Sequence, residues 1–187
     1  MTRNRMMGNK GRGFEEEIKM ANYQYFRRGE ALIQKISTPW VVVRDGKRIV
    51  SAYPEGKSTL DFRGTVKPGI SISFDCKETK DKRGLPLSII ADHQIEYIEF
   101  ALEVGEVSFI LCYMESENKR YYASGIKVLE YWDRWKENKG KKGYNYIPKS
   151  IMAEVKSKNG IILDYLDAIK YLGGEENKEE IVNGEYD

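Results

Sequence analysis

Apolar residues fall along this chain in two rhythms, one helical and one alternating, and the changes between them lay out its elements. In FEEEIKMANYQYFRRGEALIQKI the residues Phe14, Ile18, Ala21 and Tyr25, then Leu32 and Ile33, recur at helical spacing and predict an amphipathic helix interrupted near Gly29. Between Pro39 and Ser58 the text becomes WVVVRDGKRIVSAYPEGKS, with β-branched residues on either side of Asp45-Gly46, which predicts a hairpin. TLDFRGTV and GISISFDCKET alternate apolar and polar residues around Lys67-Pro68-Gly69, so a second antiparallel pair is expected there. DHQIEYIEFALEVG sets Ile95, Ile98 and Leu102 on one helix face, with Asp92 as the expected N-cap and Gly105 as the stop. VSFILCYME is continuously apolar, as in a strand covered on both faces, and RYYASG is read as its neighbour. Helices are expected in IKVLEYWDRWKEN and ILDYLDAIKYL. The order is helix, strands, helix, strand, strand, helices, which predicts one mixed central sheet in an α/β or α+β domain.

Composition narrows the class. A chain of 187 residues, 41% hydrophobic, has the apolar content for one sizeable core. Cys76 and Cys112 each lie in an apolar β-like run, which argues against a disulfide framework and for a reducing, cytoplasmic setting. No apolar run approaches the roughly 20 residues that span a bilayer, and MTRNRMMGNKGRG carries charge without the apolar stretch of a secretory signal, so no membrane partner is expected.

Charge is distributed unevenly. The last thirteen residues hold six acids and one lysine, leaving −5 there, so the total of +2 conceals a body of +7 over residues 1–174. A basic body favours a polyanionic partner. Residues 1–12, with Arg3, Arg5, Lys10 and Arg12, are read as a flexible basic arm, residues 13–172 as the folded domain, and residues 173–187 as an acidic, disordered tail.

The pattern richest in chemistry is Asp61 followed fourteen positions later by Asp75-Cys76-Lys77. Alternation on a strand points Asp75 and Lys77 the same way and Cys76 inward, and a paired neighbouring strand brings Asp61 to the same face. Two converging carboxylates repel unless a divalent cation lies between them, and hard oxygen donors suit Mg²⁺, with Mn²⁺ as the alternative. An ammonium beside that cation can stabilise charge building on a phosphorane-like transition state. The bland alternative, a solvated strand face with a surface ion pair worth roughly 0–1 kcal/mol, is outweighed only by context: paired strands, an upstream aspartate and a basic body.

These residues resemble the PD-(D/E)xK nuclease superfamily, and more narrowly the RecU-type Holliday junction resolvases. The resemblance runs from about Arg12 to about Leu172 through RGFEEE, Ser37-Thr38-Pro39, KSTLDFRG, FDCKET, LPLSII followed by DHQIEYI, and YNYIP, whose order and spacing are specific together. It implies a restriction-endonuclease-like α/β fold, a mixed central β-sheet flanked by helices with a protruding β-hairpin stalk at about residues 39–58. It further implies metal ligation by Thr59, Asp61, Asp75 and Gln94, transition-state stabilisation by Lys77, and a further acid, Glu17, on the first helix. Asp75 stands where the family carries glutamate, one methylene longer, and the interval from Asp61 is one residue longer than the family pattern.

The implied activity is a Mg²⁺-dependent endonuclease that resolves four-way junction DNA by paired symmetric nicks as a homodimer. Arg12, Arg44, Lys47, Arg48 and Lys57 are the expected DNA contacts, with Lys139, Lys141 and Lys142 as further phosphate candidates. Val41, Val42, Val43, Ile49 and Val50 give the hairpin more apolar surface than a free ribbon tolerates, so packing against its twin or the domain is expected. A strand-exchange recombinase is a further candidate partner. Two other classes fit the same residues: a duplex endonuclease reading a short sequence, and a junction-binding or recombinase-modulating protein with weak or no nuclease activity.

Overall fold

A computed structural model of the chain describes residues 10–37, 40–54 and 59–172. The elements are α1 (Lys10–Arg27), β1 (Ala31–Lys35), β2 (Trp40–Asp45), β3 (Arg48–Pro54), β4 (Phe62–Val66), β5 (Ile70–Thr79), β6 (Gly84–Pro86), α2 (Asp92–Glu103), β7 (Val107–Met114), β8 (Lys119–Ser124), α3 (Gly125–Glu137), β9 (Tyr146–Pro148), β10 (Ala153–Val155) and α4 (Tyr165–Leu172). Six strands form the main sheet in the order β1-β4-β5-β7-β8-β10. Only β5 and β7 run parallel within it, joined through α2; the other neighbours are antiparallel. β2 pairs with β3, and β6 with β9, as separate two-stranded ribbons.

Each face of the sheet carries its own core. Phe14, Ile18, Ala21 and Tyr25 of α1 and Tyr165 and Leu166 of α4 pack on Phe62, Phe74 and Phe109. On the other face Ile95 and Ile98 of α2 and Val128 and Trp132 of α3 cover Ile110 and Cys112. The expected mixed sheet between helices is therefore the observed architecture, and β7 is buried on both faces as its unbroken apolar run requires.

An aromatic ladder sets the strand register. Phe62 and Phe74 stack at 4.9 Å, Phe74 and Phe109 at 4.7 Å, and Phe109 meets Tyr122 at 4.9 Å, crossing β4, β5, β7 and β8. Phe62 is the register partner of Phe74, and Phe74 of Phe109. Slipping a strand by one residue would turn its aromatic out of the core, so this contact specifies the pairing strongly. Gly64 permits the close approach of β1, since a Cβ there would lie 2.1 Å from the Leu32 carbonyl oxygen and 2.6 Å from Ile33 Cα.

The structure corrects four expectations. Leu32 and Ile33 belong to strand β1, not to a continued helix: Gly29, at φ 64°, ends α1, and Ala31 and Ile33 are buried while Leu32 faces out, the alternation of an edge strand. α1 begins at Lys10, so the helix takes in residues assigned to the basic arm. The N-cap of α2 is Ala91, not Asp92. α4 starts at Tyr165, a turn later than the apolar spacing of ILDYLDAIKYL suggests. Gly105, at φ 81°, stops α2 as expected, with backbone bonds from Gly105 to Leu102 and from Glu106 to Ala101 that satisfy the last carbonyls.

Residues 173–187, the acidic tail, lie outside the described residues, as do residues 1–9 of the arm. Among the described residues no helix is long and apolar enough to cross a membrane.

Candidate active site

The site forms where the register carries two acids together. Phe62 opposes Phe74, so the same antiparallel register continued by one residue sets Asp61, just before β4, across from Asp75 in β5. The backbone of Asp61 is held from the other side, its carbonyl accepting from Ile36 N–H at 2.7 Å. On β5 the aromatic Phe74 and the thiol Cys76 face α1 and α4, while Asp75 and Lys77 face α2.

Gln94 joins the two charged residues. Its Nε2 donates to Asp75 Oδ1 at 2.9 Å, and its Oε1 accepts from Lys77 Nζ at 3.0 Å. The same oxygen accepts from the Ala91 backbone N–H at 3.1 Å, so this side chain also caps α2 and its orientation is fixed by the helix it begins. Lys77 Nζ lies 2.7 Å from Asp75 Oδ2 as an ion pair. That oxygen is fully enclosed and receives no aligned hydrogen bond, so the contact is a charge contact without hydrogen-bond geometry.

The electrostatics follow from burial. Asp75 is 1% exposed and its parallel partner on β7 is the apolar Ile110. Burial pushes its carboxyl from 3.8 up to about 6; the Lys77 ammonium opposes the shift, and the Asp61 charge adds to it. Cys76 Sγ donates to Asp61 Oδ2 at 3.5 Å, and burial, followed by the Asp61 charge, holds that thiol well above its ordinary range. A divalent cation would relieve the crowding of Asp61 against Asp75.

Of the residues singled out for the site, Asp61, Asp75, Lys77 and Gln94 are brought together and two are not. Thr59 is exposed, and its hydroxyl donates to the neighbouring Leu60 carbonyl at 3.5 Å. Thr-x-Asp shares a face only on a regular strand, and residues 59–61 precede β4 as irregular backbone with Leu60 buried. Glu17 turns toward β8, where its carboxylate accepts from Arg120 Nε at 2.9 Å and Arg120 lies over the Tyr113 ring.

The acid of α1 that faces the β1–β4 side is Glu15, which sequence reasoning passed over. It pairs with Lys19 at 2.8 Å and with Lys35 at 2.7 Å, which in that order hold its carboxyl below the usual range, and its charge reaches Cys76. Three consecutive glutamates on a helix point about 100° apart, so only the contacts of the folded chain distinguish them.

The hairpin bears Arg44, Lys47 and Arg48, all exposed, whereas Lys57 and the side chain of Arg12 lie outside the described residues. Trp40, Val42, Val43, Ile49, Val50 and Tyr53 are exposed on the same ribbon.

Among the described residues no three His, Cys, Asp or Glu side chains are grouped for a metal. Two carboxylates nevertheless fit Mg²⁺, which ordinarily takes one or two protein carboxylates together with waters and substrate phosphate oxygens.

The chain is similar along most of its length to curated relatives. It is 34% identical over 175 residues to the Holliday junction resolvase RecU of Oenococcus oeni, covering 88% of this chain and 86% of that one. It is 32% identical over 177 residues to the protein of the same name from Leuconostoc mesenteroides, covering 90% and 84%. A solved structure of Archaeoglobus fulgidus Hjc, a Holliday junction resolvase, aligns over 73% of this chain and 94% of that chain at TM-score 0.40 and 10% identity, too distant to add to the assignment. The family model described as recombination protein U, RecU, matches residues 9–171, and the chain belongs to that family.

Proposed function

We propose that this protein is a Holliday junction resolvase, an endodeoxyribonuclease that makes paired symmetric nicks in four-way junction DNA as a twofold dimer. The observation that carries the reading is the convergence of Asp61, Asp75, Lys77 and Gln94 at one end of the β4–β5 pair, in a chain that belongs to the RecU family. Family membership alone leaves the chemistry unplaced, and the grouping of these four side chains is what supports placing it here.

Asp61 and Asp75 are the residues suited to hold Mg²⁺ or Mn²⁺, with the Gln94 amide beside them. When bound, such an ion supplies polarisation of the scissile phosphodiester and neutralises part of its charge. Lys77 has three N–H donors, one of them bonded to Gln94 Oε1 while the ammonium as a whole forms an ion pair with Asp75, which leaves donor capacity for a phosphate oxygen as charge develops there. Gln94 fixes the ammonium and the carboxylate relative to each other, so their positions are set before substrate arrives. Glu15, in place of Glu17, is the helix acid we assign to this centre, because its partner Lys35 adjoins the backbone that carries Asp61.

Dimerisation is supported by the hairpin. An exposed ribbon bearing Trp40, Val42, Val43, Ile49 and Val50 is more apolar than water tolerates, and a second copy of the same ribbon covers it symmetrically. Arg44, Lys47 and Arg48 then stand together where the four arms of a junction meet. The free thiols Cys76 and Cys112 suit a reducing cytoplasm.

A second reading, junction binding with little cleavage, draws on the enclosure of Asp75 by its own lysine and glutamine. One gel experiment separates the readings: a synthetic mobile four-way junction and a linear duplex are incubated with Mg²⁺, Mn²⁺ or chelator. Paired nicks confined to the junction are expected. Cleavage of the linear duplex would make the protein a duplex endonuclease, and a shifted but uncut junction would make it a binding module.

A further inference from the structure

The stalk and the catalytic centre leave most of the positive charge unexplained. Residues 131–149, YWDRWKENKGKKGYNYIPK, contain six cations and two acids, a balance of +4, which is more than half of the +7 carried by residues 1–174. This segment runs from the last turns of α3 through a loop into β9, far along the chain from both the hairpin and β5.

Two of its six cations, Arg134 and Lys136, lie over aromatic rings. The Arg134 guanidinium lies 5.0 Å from the centre of the Tyr131 ring and 5.8 Å from that of Tyr144. Lys136 Nζ lies 4.4 Å from Trp132 and 5.6 Å from Trp135, and these two indoles meet edge to face at 5.1 Å. Beyond them Lys139, Lys141 and Lys142 project from the loop, exposed, with Lys141 held to Asn138 at 3.0 Å. Among the described residues no acid pairs with Arg134, Lys139, Lys141 or Lys142 in an ion pair.

The helix dipole accounts for part of this. Arg134 and Lys136 occupy the last turn of α3, where cations are favoured. It does not account for three further lysines within four positions of loop, where like charges repel one another and gain nothing from the helix. A polyanion lying across the loop removes that repulsion.

Position points to the same partner. Lys136 Nζ is 3.2 Å from Asp92 Oδ1, which joins the end of α3 to the first turn of α2, two residues before Gln94. The cationic surface therefore adjoins the helix terminus that orients Asp75 and Lys77. Because the aromatic faces are already covered by the chain's own cations, the surface offers charge to phosphates and not ring faces to bases.

We infer that the end of α3 and the loop that follows form a second DNA-binding surface, which grips the phosphodiester backbone of a duplex arm as it leaves the active centre. The inference rests on the resolvase reading above and adds a site to it. Recognition there is independent of sequence, and it complements the hairpin, which reads the branch point.

The test uses the full chain and a four-way junction with chelator present, so that binding is read without cutting. Each lost phosphate contact makes the slope of log affinity against log salt shallower by about 0.9, so Lys139→Gln, Lys141→Gln and Lys142→Gln together are expected to reduce it by about 2.7 and to weaken binding roughly 10- to 100-fold. These side chains are exposed and bury nothing, and an unchanged melting curve verifies the fold. Arg134→Gln, made separately, is expected to reduce the slope by about 0.9 relative to wild type. Hydroxyl-radical footprints of the triple variant are expected to lose protection along an arm while keeping it at the crossover.

Unchanged affinity, slope and arm protection in the triple variant, with wild-type protein binding and cutting normally, would overturn this inference alone. Wild-type protein that neither binds nor cuts the junction removes the resolvase reading, and this inference with it.

Discussion

Replacing Asp75 with asparagine is expected to stabilise the metal-free protein while abolishing cleavage. Asp75 is 1% exposed, and burial raises its carboxyl from 3.8 to about 6 against the pull of Lys77. At about 1.36 kcal/mol per pH unit, that displacement weighs roughly 3 kcal/mol against the ionised carboxylate in the folded chain. Asparagine keeps the shape and removes the charge. It also strands Lys77, whose side chain is 18% exposed, beside a neutral amide, which takes back part of the gain. A net stabilisation of about 1–2 kcal/mol remains, or roughly 2–8 °C in melting temperature for a chain of this size.

The pH dependence has a definite sign. Between 3.8 and about 6 the folded carboxyl holds a proton that the unfolded chain has released. Folding therefore takes up protons in that window, and the contribution of Asp75 to stability falls as pH rises through it, with the full penalty present above about 6. Thermal melts from pH 4 to 8 in chelator test this, with the asparagine variant as the reference that lacks the fall. Addition of Mg²⁺ is then expected to raise the melting temperature of the wild type and leave that of the variant unchanged. An asparagine variant that melts below wild type at pH 7.5 in chelator would refute the view of Asp75 as a carboxylate kept at a cost for its charge.

Further outcomes follow from the same geometry. Lys77→Ala is expected to slow single-turnover cutting of a junction at least 100-fold, on the scale of losing one preorganised donor, while a gel-shift titration shows affinity within about twofold of wild type. Glu15→Gln is expected to reduce the cutting rate and Glu17→Gln to leave it near wild type, measured side by side; the reverse ranking would return the helix role to Glu17. Arg44→Ala, Lys47→Ala and Arg48→Ala together are expected to make the salt slope of junction binding shallower by about 2.7. Gly64→Ala drives a methyl into β1, 2.1 Å from the Leu32 carbonyl oxygen, and is expected to destabilise by about 3 kcal/mol in denaturant unfolding.

Much of this protein was legible because its signals are local. Alternation in TLDFRGTV and GISISFDCKET located β4 and β5 and put Asp75 and Lys77 on one face, while Asp45-Gly46 located the hairpin and Gly105 the end of α2. The errors come where periodicity has too little length to register. β1 is five residues long, and Leu32 and Ile33 within it suit either period; β6, β9 and β10 are three residues each and take their identity from partners. β6 and β9 pair only because Gly84 allows backbone contact with Ile147, a residue remote in the chain.

What the amino-acid order determined by itself is the set of elements, the shared face of Asp75 and Lys77, and the uneven charge along the chain, since each depends on neighbours a few positions apart. What only the folded chain decided is which groups meet. The ladder of Phe62, Phe74 and Phe109 sets the register that brings Asp61 to Asp75; the pairing of β5 with β7 buries that carboxylate; the placing of α1 on the sheet distinguishes Glu15 from Glu17; and the contact of Lys136 with Asp92 sets the end of α3 beside the start of α2, the helix that carries Gln94. Those outcomes depend on contacts between residues distant in sequence, and they are settled by packing, which no local pattern encodes.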